Sequence, residues 1–233
     1  MTKIIRSTLL TAVLALVFGF FGAGIWSWSG LADDRTKSYL LEHPELLPEM
    51  AEAYQRQEAK KRLAGIGELV RTPFQGAFLG NPNGSKVLVE FTDYNCPYCK
   101  ASQADVERLV AQDPELKVVI REWPIFQGSE ISTRMALAAA MQGKYEAFHN
   151  AMFRIGATSP QAIIEAANEA GLDLERAKRD GASPEVDAEI ARNHSLAQQL
   201  GFSGTPSWVT SDAAFEGAVG FVSLKKAIDT ATE

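Results

Sequence analysis

The most apolar part of the chain is its N-terminus, where two cations precede an uncharged run over residues 7–30. A basic end followed by an apolar core is typical of an export signal, which is cleaved at a small-x-small site such as Gly30-Leu31-Ala32. Residues 9–28 are also long enough for a membrane-spanning helix, which needs about 20 apolar residues. The pattern therefore predicts that residues 1–32 are either a membrane anchor or a cleaved signal peptide. Both interpretations place the following residues outside the cytoplasm, because the short basic end stays inside.

Residues 33–71 form a polar arm that carries a narrow apolar stripe. Leu40, Leu47 and Tyr54 lie seven residues apart, which corresponds to two turns of a helix. One or two helices are therefore predicted for the arm. The stripe can pack on the same chain or associate with a second copy as a coiled coil, although Lys61 falls where a heptad seam needs an apolar residue.

Strand and helix patterns alternate after a linker rich in Gly and Pro at residues 72–85. An apolar strand over 86–92 is followed by a helix over 97–112 and by a second strand over 116–126. A strand, a helix and a strand in this order predict a βαβ unit with a parallel pair.

Helical periodicity dominates residues 127–200. Two Ser-Pro pairs predict helix starts, because Ser caps a helix and Pro fits its first turn. Strand patterns return after residue 201 and over 214–220, and the chain ends in a helical pattern. The predicted helices of this half cover residues 131–153, 161–170, 172–179, 185–200 and 221–230.

Composition limits the classes of function. The chain has 233 residues, a net charge of −6 and 46% hydrophobic residues. These values fit one globular domain with additional elements, and the acidic balance gives no case for nucleic acid as a partner. The two cysteines and three scattered histidines do not have the spacing of a structural zinc site, which takes four ligands. Neither a metal site nor a cofactor motif is predicted.

Cys96 and Cys99, the only cysteines of the chain, lie at the predicted start of the helix over 97–112. A disulfide between them closes so small a ring that it removes little entropy from the unfolded chain, so a redox role is the better interpretation. Cys96 faces the free N–H groups and the positive end of the helix, which favour a thiolate. Cys99 lies one turn deeper and is expected to be more buried. We therefore expect Cys96 to attack and Cys99 to resolve the mixed disulfide.

Glu90 places a carboxyl group in the middle of the apolar strand over 86–92. Burying a carboxyl group is costly unless it has partners. Glu90 can lie on an edge strand, pair with a cation such as Arg121, or act as a buried acid near Cys99 that takes up the thiol proton. The residues alone leave these alternatives open.

Thr205-Pro206 precedes another predicted strand. An ordinary turn is the interpretation that the spacing favours. The alternative is a cis peptide beside the dithiol, which an X-Pro bond tolerates at modest cost and which exposes a backbone edge to a substrate.

These features resemble, in their order along the chain, the DsbA-like thioredoxin-fold family. The residues that carry the resemblance are Cys96-Pro97-Tyr98-Cys99 after a strand, Glu90 six residues earlier, and Gly204-Thr205-Pro206 before a later strand. The resemblance covers about residues 72–233 and implies an α/β thioredoxin fold with a helical domain inserted at about 127–200. The arm, with its sequence His43-Pro44-Glu45-Leu46-Leu47-Pro48-Glu49, resembles the N-terminal region of the suppressor-of-copper-sensitivity subgroup, whose members can oligomerise through it.

The resemblance also implies roles for individual residues. Cys96 is the expected nucleophile, Cys99 the resolving thiol and Glu90 the buried acid. Contact with the substrate is expected from Thr205 and Pro206, now favoured as a cis peptide, and from Pro97 and Tyr98 between the cysteines.

The implied function is that of an exported thiol-disulfide oxidoreductase acting on unfolded or misoxidised proteins, with a membrane redox partner and no cofactor. It is expected on the periplasmic side of the inner membrane, anchored by residues 9–28, or soluble in the periplasm after cleavage. Self-association through the arm would give an assembly with several active sites, from which an isomerase benefits. The alternative function is a periplasmic copper(I)-binding protein, because soft thiolates suit that metal.

Overall fold

The N-terminal apolar run forms helix α1 (Thr2–Trp28) in the structure, which is a computed structural model of the chain. The structure describes residues 2–28 and 31–231. The chain divides into two units, residues 1–53 and residues 54–233. In the first unit α1 is followed by α2 (Leu31–Glu42), a short 3₁₀ helix (Pro44–Leu46) and the start of α3 (Leu47–Leu63).

Across the described residues, no helix has both the length and the apolar character needed to cross a membrane. The anchor predicted over residues 9–28 is therefore not supported by the structure. Residues 29 and 30, which include the first residue of the predicted cleavage site, lie outside the part of the chain that the structure describes.

The second unit is built on a sheet whose strands, within residues 31–231, follow the order β1-β3-β2-β4-β5. The central strand β2 pairs in parallel with β3 and antiparallel with β4, and the edge strands β1 and β5 pair antiparallel. Helix α5 connects β2 to β3, which confirms the predicted βαβ unit. The elements are β1 (Phe78–Gly80), β2 (Lys86–Thr92), α5 (Pro97–Gln112), β3 (Leu116–Glu122), β4 (Ser207–Val209) and β5 (Ala214–Glu216), with α4 (Gly67–Arg71) before the sheet and α11 (Phe221–Thr230) after it.

The chain between β3 and β4 is helical. Its helices are α6 (Ser129–Met141), α7 (Tyr145–Ile155), α8 (Pro160–Glu169), α9 (Leu174–Gly181) and α10 (Pro184–Gln199). The single helix predicted over 131–153 is wrong, because the chain breaks at Gly143. The φ of Gly143 is 67°, in the left-handed region that glycine adopts without steric cost. Strand β3 is also shorter than predicted, since Pro124 follows it and has no N–H for the sheet.

Side chains of β2 and β3 alternate between the two faces of the sheet. On one face Leu88 and Ile120 pack in a core shared with α5, α6, α7 and α11. On the other face Val89 and Val119 pack in a second core with residues of α4 and α10. Because of this alternation, Glu90 and Arg121 lie on opposite faces.

Arg121 connects the second face to the helices that cover it. Its guanidinium is 1% exposed and lies 2.8 Å from the carboxylate of Glu189 on α10, which is equally buried. It also donates to the carbonyl groups at the end of α4, with 3.2 Å to Val70 and 2.5 Å to Thr72. The side chain therefore satisfies carbonyl groups that the helix itself leaves without a partner.

Substitution Arg121→Ala should lower the free energy of unfolding by about 3–5 kcal/mol. It removes the buried cation of Glu189, which keeps only its pair with the more exposed Arg192, and it leaves the carbonyl groups of α4 without their donor. Urea denaturation followed by circular dichroism measures this change. Lys225→Ala is the matched control: it breaks an exposed pair with Asp229 and should cost less than about 1 kcal/mol. An equal, small effect of both substitutions would contradict the role given to Arg121.

Candidate active site

The two cysteines lie where β2 ends and α5 begins. Cys96 is the N-terminal cap residue of α5, with extended backbone angles (φ −80°, ψ 117°), and Pro97 is the first helical residue. Proline fits this position because its missing N–H would have no partner in the first turn. The helix start predicted from the sequence is therefore confirmed.

Asp93 holds the turn between β2 and Cys96 in place. Its buried carboxylate accepts hydrogen bonds from the backbone N–H of Asn95 over 2.7 Å and from those of Ile125 and Phe126 over 2.8 and 3.0 Å. The hydroxyl of Ser129 on α6 donates to the same carboxylate over 2.5 Å. The loop after β3 is therefore fastened to the turn that carries Cys96. The sequence analysis missed Asp93, although an Asp shortly before a helix often bonds to nearby backbone N–H groups.

Thr205-Pro206 is a cis peptide and lies next to the first cysteine. The thiol of Cys96 donates to the carbonyl oxygen of Thr205 over 3.1 Å. Pairing of β2 with β4, in which Phe91 lies opposite Ser207, brings the two segments together. The ordinary turn that the spacing favoured is wrong, and the cis peptide implied by the resemblance is confirmed.

Cys96 and Cys99 carry free thiols, and each is only 1% exposed. Their accessible surfaces are equally small, but Cys99 has more of the protein packed around it, as expected for the deeper residue. Their electrostatic surroundings also differ. The pKa of Cys96 is lowered to about 6, mainly because the Cys99 side chain donates a hydrogen bond to the Cys96 thiolate. The backbone N–H groups of Cys99 and Tyr98 lower this pKa further, against the opposing effect of burial.

The pKa of Cys99 is raised well above its usual range. Burial is the main cause, and the hydrogen bond to Cys96 and the negative charge of Glu90 add to it. At neutral pH the pair therefore consists of a Cys96 thiolate and a protonated Cys99. This is the distribution that favours attack by the first cysteine.

Glu90 lies in the interior of the sheet, on the face that packs against α5. It is 2% exposed, and among the described residues its Oε2 atom has no hydrogen-bond donor. The pKa of Glu90 is raised to about 8, mainly by burial, and the charges of Glu122 and Cys96 contribute. Two of the three alternatives for Glu90 are therefore wrong, since β2 is not an edge strand and Arg121 pairs with Glu189 instead.

The other predicted contact residues differ in exposure. Pro97 is exposed, as is Tyr98 at 64%, whereas Thr205 and Pro206 are buried. Phe126, in the loop that Asp93 fastens, is also exposed. The surface around the dithiol thus combines apolar side chains with the backbone of a cis-proline loop.

Metal chemistry has few ligands available at this site. Within residues 2–28 and 31–231, no group of three or more His, Cys, Asp or Glu side chains could hold a metal ion. The copper(I) alternative therefore depends on the two sulfurs of Cys96 and Cys99 alone.

Two family models match the chain. The model described as Thioredoxin matches residues 74–230, and the model described as Copper resistance protein ScsC N-terminal domain matches residues 36–61. Together they cover the sheet with its inserted helices and most of the arm.

Solved structures with the same fold include a thioredoxin-like oxidoreductase from Silicibacter pomeroyi DSS-3, with 48% identity and a TM-score of 0.62 over 65% of this chain and 89% of that one. The thiol-disulfide exchange protein alpha-DsbA2 from Wolbachia pipientis is 25% identical, with a TM-score of 0.68 over 76% and 97% of the two chains. A periplasmic thioredoxin-like protein from Salmonella enterica serovar Typhimurium is also 25% identical, with a TM-score of 0.61 over 71% and 95%.

Among curated proteins, the Na⁺/H⁺ antiporter NhaA of Herminiimonas arsenicoxydans is 30% identical over 141 residues, which are 60% of this chain and 23% of the antiporter. The chain spans about a quarter of the length of the curated relatives it matches. These matches therefore say nothing of ion transport by this chain. The matched family model, the thioredoxin fold with its helical insertion and the ScsC-type arm show that the chain belongs to the thioredoxin family, among its DsbA-like and ScsC-like members.

Proposed function

We propose that the protein is an exported thiol-disulfide oxidoreductase that exchanges disulfides with unfolded or misoxidised proteins through Cys96 and Cys99. The observation that carries the proposal is the position of Cys96: its sulfur lies at a helix N-terminus beside the Cys99 thiol, and its pKa is lowered to about 6. The protonated form of the same thiol donates to the carbonyl of Thr205 in the cis-proline loop. A thiolate in such surroundings is the reactive form of cysteine.

The reaction proceeds in two exchanges. The Cys96 thiolate attacks one sulfur of a substrate disulfide, the substrate S–S bond breaks, and the released substrate thiolate takes up a proton. Cys99 then loses its proton to Glu90 and attacks the sulfur of Cys96, which releases the second substrate thiolate. The substrate is reduced by two electrons and the Cys96–Cys99 pair is oxidised. The reverse sequence forms a disulfide in the substrate.

Glu90 suits the second exchange because its carboxyl group is buried on the face of the sheet that packs against α5, the helix that carries Cys99, and its charge acts on the Cys99 thiol. A general base is most effective when its pKa lies near the working pH, and the pKa of Glu90 is about 8. For isomerisation, a substrate thiol takes the place of Cys99 and resolves the mixed disulfide.

The redox partner sets the direction of the reaction in this proposal. A membrane protein that withdraws electrons keeps the pair oxidised and makes the protein a donor of disulfides. A partner that supplies electrons keeps it reduced, as an isomerase or reductase requires. Periplasmic location is supported by the signal-like N-terminus and by the similarity to a periplasmic thioredoxin-like protein.

Association of two or more copies through the arm is part of the same proposal. Apolar side chains of α2 and α3 are exposed, including Leu41 at 73%, Leu47 at 68% and Met50 at 49%. The match to the ScsC N-terminal domain covers this segment. A row of exposed apolar residues on short polar helices is typical of a surface that another helix covers.

Cys96→Ser should abolish catalysis of both insulin reduction and the refolding of scrambled ribonuclease, because serine cannot form the mixed disulfide. Cys99→Ser should lose net reduction and retain part of the isomerase activity, since a substrate thiol can resolve the intermediate. Activity of Cys96→Ser equal to that of the unaltered protein would show that the dithiol is not the catalyst.

Cys99→Ala should move the pH midpoint of Cys96 alkylation upward from about 6, because it removes the thiol that donates to the Cys96 thiolate. The rate of iodoacetamide labelling, measured from about pH 4 to about pH 9, gives this midpoint, because only the thiolate form of cysteine reacts. Ser102→Ala, a buried substitution one turn further along α5, is the matched control and should leave the midpoint in place. A midpoint in Cys99→Ala at or below that of the unaltered protein would contradict the assignment.

The double substitution Leu41→Lys with Leu47→Lys should convert an assembly of the protein to monomers, because it places two charges among the exposed apolar side chains of α2 and α3. Sedimentation equilibrium measures the mass of each form. Ser38→Lys adds a charge at an exposed polar position of α2 and should preserve the assembly. Equal masses for the unaltered protein and the double variant would show that copies of the protein do not associate through the arm.

A further inference from the structure

A second buried carboxyl group lies close to Glu90. Glu122, the last residue of β3, is fully buried. Its Oε1 atom accepts hydrogen bonds from the hydroxyl groups of Tyr94 over 2.8 Å and Tyr145 over 2.6 Å, and Thr133 donates to Oε2 over 3.4 Å. Three hydroxyl donors from three different segments of the chain thus surround one carboxyl group.

The register of the sheet puts the two carboxyl groups on the same face. In the parallel pair, Glu90 lies opposite Ile120 and Glu122 lies opposite Thr92. Since side chains alternate along a strand, Glu90, Thr92 and Glu122 all point towards α5, α6 and α7. Glu90 and Glu122 are therefore diagonal neighbours on adjacent central strands.

The hydroxyl groups around Glu122 continue into a hydrogen-bonded chain. The Nδ1 atom of His149 lies 3.1 Å from the hydroxyl of Tyr94 and 3.3 Å from that of Tyr145. Its Nε2 atom lies 3.2 Å from the side-chain oxygen of Gln103, whose amide donates to Asn150 over 3.0 Å at a surface groove. The chain of polar groups thus runs from the interior beneath the dithiol to solvent.

The charges that face Glu122 come from several elements. Glu90 on β2 and Asp93 in the following turn are acidic, and the groups on α6 and α7 are Thr133, Tyr145 and His149. Burial lowers the pKa of His149 to about 3, so that its ring is neutral. Among the described residues, no ion pair includes Glu90 or Glu122. Two carboxyl groups that are buried together, away from water, do not both ionise at the pH at which an exposed carboxyl group does.

The two carboxyl groups differ in their donors, and this difference decides which of them ionises first. Hydrogen bonds to the charged form of an acid favour that form. Glu122 has three hydroxyl donors, whereas Oε2 of Glu90 has none among the described residues. The first negative charge of the pair therefore belongs to Glu122, and Glu90 ionises against that charge.

We propose that Glu122, with the hydroxyl groups of Tyr94 and Tyr145, is a positioning residue of the dithiol that sets the pH at which Glu90 accepts the proton of Cys99. The inference rests on the proposed function, because it concerns the second exchange of that reaction. In this step the S–H bond of Cys99 breaks, its proton passes to Glu90, the Cys96–Cys99 bond forms and the thiolate of the leaving group departs. A negative charge on Glu122 disfavours the ionisation of Glu90. Glu90 is therefore ionised, and able to accept the proton of Cys99, only at higher pH.

Reaction of the reduced protein with Ellman's reagent separates the two exchanges. Cys96 releases one equivalent of the coloured thiolate and forms a mixed disulfide, and Cys99 then releases the second. Stopped-flow absorbance gives the rate of each phase as a function of pH. The first phase reports the Cys96 thiolate and the second reports the loss of the Cys99 proton.

Glu122→Gln should lower the pH midpoint of the second phase by about one unit, because it removes a neighbouring charge in a site of low effective dielectric constant. Tyr145→Phe takes away one donor and should shift this midpoint in the same direction by less. Neither substitution should shift the midpoint of the first phase. Glu115→Gln, the same chemical change just before the other end of β3, is the matched control and should leave both phases unchanged.

The outcomes distinguish this inference from the function on which it rests. Absence of two phases in the unaltered protein would overturn the proposed function. Two phases in the unaltered protein, with an unchanged second midpoint in Glu122→Gln, would overturn only the role of Glu122. If Glu122→Gln does not fold, an unchanged or raised second midpoint in Tyr145→Phe would overturn that role equally.

Discussion

The contact between Cys96 and Thr205 depends on one constraint, the central position of β2 in the sheet. Strand β2 ends at the turn that carries Cys96, and its antiparallel pairing with β4 brings the cis peptide at Thr205 to the same edge. The two residues are 109 positions apart in the chain, yet their atoms approach to 3.1 Å. The inserted helices between β3 and β4 return the chain to the side of β2 opposite β3. They therefore contribute to the site by allowing β4 to pair with β2. Anchoring of α4 and α10 by Arg121 covers the far face of the same strands.

Burial and local hydrogen bonds oppose each other at the site, and their balance differs from group to group. For Cys99, Glu90 and Glu122 burial is the largest cause, so each pKa is raised. For Cys96 the hydrogen bonds exceed the effect of burial, so its pKa falls. Because the pKa of Cys96 is lower in the folded protein than in the unfolded chain, the thiolate stabilises the reduced, folded protein relative to the unfolded chain at pH values above 9.0. This stabilisation is lost as the pH falls towards about 6. The same buried site thus contains one thiol whose pKa is lowered beside a thiol and two carboxyl groups whose pKa values are raised.

Much of this arrangement could be predicted from local patterns. The apolar run before Cys96, the Pro after it and the Ser-Pro pairs fix the strand and the helix starts, because these signals act within a few residues. The break at Gly143 could not be predicted in the same way, since the apolar spacing continues across it and only the packing of two helices requires the turn. The faces of Glu90 and Arg121 follow from alternation, but their partners do not, because Glu189 comes from a helix 68 positions away. Glu122 could not be identified from the sequence for the same reason, because only the fold brings its donors Tyr94, Thr133 and Tyr145 together.

The central claim is that Cys96 forms a covalent mixed disulfide with a protein substrate and that Cys99 releases it. Mass spectrometry of Cys99→Ala after reaction with a disulfide-containing protein tests this claim most directly. The account predicts a covalent adduct of the two proteins, linked at Cys96 in the proteolytic fragments and dissociated by dithiothreitol. Failure to form an adduct, or an adduct that persists in the presence of dithiothreitol, would contradict it.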